Sequence, residues 1–169
     1  MLFPRFTSGL VALLSLAGCV TEKVTHIASV YVEAPESTTL TMRKFVMLPV
    51  SGVTIPIMAK ELTLAEDLLG TDAIESGPPD LRTPSLLLHL NTSAARNIME
   101  ITRQARGRQL VLVVNDTAVG LMPIDGPIMD GKLIFHVEQK GMSSREAVLF
   151  LSEKLNASTL VIRKELEKQ

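Results

Sequence analysis

A chain of 169 residues, 46% hydrophobic and 21% charged, holds one ordinary domain with a real core and is too apolar for a disordered segment. Its formal net charge of −1 offers no basic field, which argues against nucleic acid as a partner. With no Trp, one Tyr and five Phe, the interior falls to Leu, Val, Ile and Met, and the one cysteine excludes both an intramolecular disulfide and a thiolate metal cluster.

The amino terminus reads as an address. Arg5 precedes an apolar run over residues 10–16, and small residues then lead to Cys19. The run is too short to cross a bilayer, so residues 1–18 are expected to be an export signal. Leu16-Ala17-Gly18-Cys19 resembles the bacterial lipobox. That resemblance implies cleavage before Cys19, a diacylglycerol thioether on its sulfur, and acylation of the new amino terminus. Several acyl chains together make a stable membrane anchor, where one alone holds only marginally. Val20 rather than Asp follows the cysteine, which by the sorting rule of enteric bacteria favours the outer membrane over the inner. The blander alternative is a secreted protein with an incidental cysteine. Residues 19–41 read as a lipid-anchored tether. Val24, Ile27, Val30 and Val32 alternate weakly, as an extra edge strand would, but the Pro-, Ser- and Thr-bearing stretch after them has no helical period.

The domain is expected over residues 42–163, with a charged tail at 164–169. Residues 43–50 are β-prone but contain Pro49, which suits an edge strand or a strand end. Ser51-Gly52 is a turn, and residues 53–58 continue extended. Thr63, with Glu66 three residues on, has capping-box spacing for a short helical turn that Gly70 ends. Gly77-Pro78-Pro79-Asp80 is a loop. Residues 85–90 form an apolar strand, and Asn91-Thr92-Ser93 cap a helix over 93–106. Ala94, Ala95, Ile98, Met99, Ile101, Thr102 and Ala105 lie largely on one of its faces, with Glu100, Arg103, Gln104 and Arg106 on the other. Gly107 suits the left-handed residue that stops it. Residues 109–114 are the most apolar strand and the expected centre of the sheet. Asn115-Asp116 turns the chain into a hairpin partner at 118–122. In residues 132–138, Leu133, Phe135 and Val137 point one way, Ile134 and His136 the other. Ser143 and Glu146 open a second helix, read to Leu155 with Asn156 as its cap, and residues 158–162 read as a last strand. The sum is an α+β two-layer sandwich, a small antiparallel or mixed sheet with two main helices on one face.

The order Gly107-Arg108, then residues 111–116, Pro123, Ile128, Gly131 and Glu146-Ala147, resembles the head part of the large periplasmic domain of SecD, a subunit of the bacterial protein-export machinery. The likeness covers somewhat over half of the chain, and its motifs are turn and core positions. It implies a SecD-head-like fold and a possible tie to export or envelope maintenance. SecD threads the membrane several times and carries a second periplasmic subdomain, and neither pattern is seen here. A chain without them cannot itself couple a proton gradient to export. Asp116 also stands where that family has Gly in the hairpin turn.

Chemistry is sparse. His26, His89 and His136 are the three histidines, none at a metal-ligand spacing, and they read as rim or partly buried side chains. Asp125, Asp130 and Glu138 could gather near the hairpin ends, yet Asp before Gly is ordinary turn chemistry. There is no G-x-S-x-G, and lipidation of Cys19 leaves no thiol nucleophile. The methionines read as core filler. The expected function is therefore a non-enzymatic binding or accessory module, with no catalytic, cofactor or metal residues and with Cys19 as its lipidation site. Its expected partner is another polypeptide of unassigned identity, met at a sheet edge or at the loops over residues 70–84. A small envelope enzyme using Asp125, Asp130 and His136 is the alternative, and a purely structural envelope lipoprotein is a third.

Overall fold

A computed structural model describes residues 23–168, so Cys19 and residues 1–18, expected to be an export signal, lie outside the described residues. The elements run β1 (Ala28–Val32), β2 (Arg43–Met47), β3 (Thr54–Met58), β4 (Leu68–Ser76), β5 (Thr83–Leu90), α1 (Thr92–Gln104), β6 (Gln109–Val114), β7 (Thr117–Pro123), β8 (Lys132–Val137) and α2 (Ser144–Leu166). Six strands form an antiparallel sheet in the order β1-β6-β7-β8-β5-β4, and β2 with β3 form a separate hairpin. This is the α+β class expected.

The sequence of β6, QLVLVV, is apolar on both faces because both faces are covered. Leu110, Leu112 and Val114 join the core beneath α1 and α2. Val111 and Val113 face the opposite way, onto the β2–β3 hairpin. Leu133 and Phe135 of β8 are fully buried on the helix side, as their alternation required. The β6–β7 turn holds Asn115 at φ 46° and Asp116 at φ 64°, the left-handed pair of a two-residue hairpin turn. Asn91 caps α1, its side-chain oxygen accepting from the Ala94 amide at 2.8 Å. At the start of α2 the Glu146 carboxylate accepts from the Ser143 amide at 2.8 Å, closing the expected capping box.

Four expectations need correction. Residues 28–34 are not tether: β1 is an edge strand paired with β6, with Val30, Tyr31, Val32 and Ala34 buried. Its alternation looked weak because Val30 and Val32 meet the helices while Tyr31 meets the hairpin, so neither face is polar. Residues 70–76 are not a loop. They belong to β4, whose Gly70 bulge and two acidic residues mask a strand pattern. The helical turn before it shrinks to a single 3₁₀ turn over Ala65–Asp67, closed by Asp67 accepting from the Leu64 amide at 2.8 Å. Thr63 caps nothing there; its hydroxyl accepts from the Val30 amide at 3.1 Å and ties this segment to β1. Finally, residues 158–162 are no strand, because α2 continues to Leu166. Ser158, Thr159 and Val161 are poor helix formers, but each is buried, and tertiary packing overrides propensity.

Candidate functional site

The two faces of the large sheet are covered unequally. One carries both helices. On the other, Ile55 and Ile57 of β3 pack with Leu48 on Tyr31, Val111, Val113 and Ala118, so the hairpin covers the β1-β6-β7 half only. The Lys44 ammonium sits 4.0 Å from the centroid of the Tyr31 ring, whose hydroxyl donates to Glu61 at 2.9 Å. Glu138 holds the hairpin tip: one carboxylate oxygen accepts from the amides of Val50 at 2.8 Å and Ser51 at 2.9 Å.

The outer side of this hairpin is unusually apolar. Phe45 is 58% and Met47 61% exposed, and Leu40, Met42, Val50 and Val53 are exposed around them. Beside the hairpin, the β8-β5-β4 half of the same sheet face lies open. It presents half-buried Ile134, Leu87 and Ile74 among His136, His89 and Asp72. The sequence reading puts residues 40–41 in the tether, 43–50 in an edge strand or strand end, and a turn at Ser51-Gly52. The available signal was that a short strand outside the main sheet has one buried face, yet this one carries apolar side chains on both, Val46 inward and Phe45 and Met47 outward.

The candidate catalytic side chains do not converge. His136 hydrogen-bonds Ser85 through Nδ1 at 3.2 Å on the open sheet face. Asp130 accepts from the Lys132 amide at 3.1 Å and shapes its own turn. From Lys132 to His136 the chain is extended strand, which alone separates the ends of that segment by about 13 Å, far beyond proton-transfer reach. Asp125 lies in the loop after β7, and Glu138 is the hairpin anchor just described. The remaining histidines are also engaged: His89 pairs with Asp72 at 2.8 Å, and His26 contacts Thr25 at 3.0 Å and the Phe150 ring edge-on. Among the described residues no three His, Cys, Asp or Glu side chains gather as a metal site would need. At the start of α2 the Ser143 backbone and hydroxyl donate to Glu146 and hold its carboxyl below the ordinary value of 4.5, a consequence of helix capping.

A cleft of about 360 Å³ opens between the chain after β3 and α1, with Met58, Leu62 and Ile101 in its wall and Lys60, Glu61 and Arg108 among its polar groups. Arg108 is partly engaged, donating to the Glu33 carbonyl at 3.0 Å. No helix among the described residues is long and apolar enough to cross a membrane.

No family model matches the chain, and no curated protein matches it in sequence. Its fold is found in solved structures of SecDF. One, a crystal structure of SecDF in a super-membrane-facing form, superposes with a TM-score of 0.52 at 18% identity over 79% of this chain. Another, of SecDF as a membrane component that enhances protein export, gives 0.51 at 19% identity over the same share. The chain spans 19% of the first and 63% of the second, less than two thirds of either. The likeness is one of fold, and it makes this a SecDF-like domain.

Proposed function

We propose that this protein is a lipid-anchored, periplasm-facing binding or accessory module that acts without catalysis, in protein export or envelope maintenance. The observation that carries the reading is the fold: 79% of the chain matches a domain of a membrane component that enhances protein export. Fold alone does not fix function, so the site has to agree. What supports the reading there is that the side chains acid–base chemistry would need are held in a turn, an ion pair and a hairpin anchor. The outer side of the β2–β3 hairpin is instead exposed and apolar, as a surface for macromolecules would be. Anchoring rests on Cys19, through the lipobox-like Leu16-Ala17-Gly18-Cys19. Close behind it in sequence the chain is tied to α2, where the Ser158 hydroxyl accepts from the Thr25 and His26 amides at 3.2 and 3.0 Å. Five residues separate Cys19 from Thr25, and such a link reaches at most about 20 Å, which would keep the domain at the bilayer surface.

In-cell crosslinking of the tagged full chain, read by mass spectrometry, tests this. Export-machinery subunits are expected among the captured proteins, with capture lost in Cys19→Ala. Capture identical in Cys19→Ala would remove the anchor from the reading, and no capture above background would remove the binding role.

A further inference from the structure

Three of the four strand edges at the borders of the two sheets are each engaged at one position by another part of the chain. On β1 the Leu62 amide donates to the Val30 carbonyl at 2.7 Å, and Thr63 takes the Val30 amide. On β4 the Asn156 side chain satisfies both backbone groups of Thr71, at 2.7 and 2.8 Å, and the outward groups of Ala73 and Glu75 beyond it lie on the charged stretch of that strand, beside Asp72 and the Glu75 side chain. On β3 the Ala34 amide donates to the Pro56 carbonyl at 2.8 Å. The outer edge of β2 is different. Phe45 lies opposite Pro56, which has no N–H, so this is a pair that exchanges no hydrogen bonds and the Phe45 N–H and C=O point away from β3. By the same alternation so do those of Arg43 and Met47, and among the described residues nothing pairs with them.

What lies beyond that edge is specific. The β3 strand sits over β1 and β2 over β7, so the next strand position of the small layer falls over β8 and β5. Ile134 and Leu87 are half-buried there, and Val46 and Leu121 form the unfinished rim of the hairpin core. Arg43 supplies a charge cue: its guanidinium lies 5.4 Å from the Phe45 ring centroid, its Nε is buried without a hydrogen-bond partner, and among the described residues no ion pair includes it.

We propose that an extended segment of another polypeptide adds as a third strand beside β2, completing the second layer over β8 and β5. A row of free amides and carbonyls is recognised only by another backbone. The apolar rim requires apolar residues at alternate positions of that segment, and Arg43 favours a carboxylate on it. The proposal rests on the binding-module reading and names the class of its partner and the place it docks.

The test uses the full chain in mild detergent and a short labelled peptide alternating Val and Thr with one central Glu. Binding is read by fluorescence anisotropy and by amide exchange in the peptic fragment that holds residues 43–47. The peptide is expected to slow exchange in that fragment, and Phe45→Pro, which deletes an outward N–H and leaves the β2–β3 ladder intact, to weaken binding by about tenfold or more. Phe45→Ala, which keeps the N–H, should weaken it less. A second arm leaves the protein unchanged: N-methylation of alternate peptide residues should abolish binding in one phase and spare it in the other. Equal binding by both phases, unaltered exchange at 43–47, or full affinity in Phe45→Pro would each overturn the proposal. So would protection of 43–47 in peptide-free protein that sediments as a dimer, since the edge would then belong to a second copy. Crosslinked partners mapped to another surface would end this proposal and leave the binding-module reading standing.

Discussion

At Asn156 one side chain does what a neighbouring strand would do, giving Thr71 both an acceptor and a donor at the border of the sheet. Thr71 is buried, so removing these partners strands its amide away from water and leaves its carbonyl only the Ser152 hydroxyl, at 3.3 Å. Asn156→Ala is therefore expected to cost about 1–3 kcal/mol, seen as a lower urea midpoint at unchanged slope. Asn156→Asp keeps the acceptor and loses the donor, and should fall between the two. Equal midpoints for wild type and Asn156→Ala would show that water replaces the amide. Glu146 gives a pH-dependent case. Its folded pKa lies below its unfolded one, so its contribution is complete above 4.5 and disappears as pH falls through the folded value. The melting-temperature gap between wild type and Glu146→Ala should be open at neutral pH and close in acid; a constant gap would assign the effect to helix propensity instead.

Among the elements, legibility followed how local the determinants are. The β6–β7 hairpin, β8 and α1 were readable because the Asn115-Asp116 turn, the Leu133/Phe135/Val137 alternation and the Asn91 cap each act within a few residues. The strand character of β1 and β4, and the length of α2, depend on contacts far away in sequence. Val30 meets Thr63, Thr71 meets Asn156, and Ser158 meets Thr25 and His26, so no window of neighbouring residues encodes them. The open β2 edge was hidden for the same reason, since its exposure follows from which sheet the hairpin covers. One short turn shows how tightly the legible elements are joined. Gly131, at φ +67°, accepts from the Leu90 amide and leaves a built Cβ only 2.7 Å from that of Ala95 on α1. Gly131→Ala combines a left-handed penalty with a clash and should cost about 2–4 kcal/mol. Adding Ala95→Gly relieves the clash alone, so a double-mutant cycle by chemical denaturation should show favourable coupling. Additive effects would put the whole cost in backbone strain.

For the molecule as a whole, the question is whether the hairpin belongs to the same cooperative unit as the helix-covered sheet. Two apolar clusters lie on opposite faces of one layer, and β6 contributes alternate residues to each, so loss of either face exposes a strand that the other needs. That arrangement favours a single transition. The chain contains its own reporter: Tyr31 is the one tyrosine and there is no tryptophan, so ultraviolet emission reads the hairpin interface alone. Far-ultraviolet circular dichroism, by contrast, is weighted toward α1 and α2. In the wild type the two signals should change together through a urea titration. Ile57 is fully buried between the layers, and Ile57→Ala should cost about 2–5 kcal/mol at that interface. If that exceeds what holds the hairpin against the sheet, Tyr31 emission will change at lower urea than the helical signal, and the hairpin becomes a separately opening unit. Coincident curves in Ile57→Ala as well would mean that the sheet cannot stand without its second layer. The hairpin could then not swing away to expose Tyr31, Val111 and Val113, and any partner docking at this end would meet the layer in its closed form, along the free edge of β2.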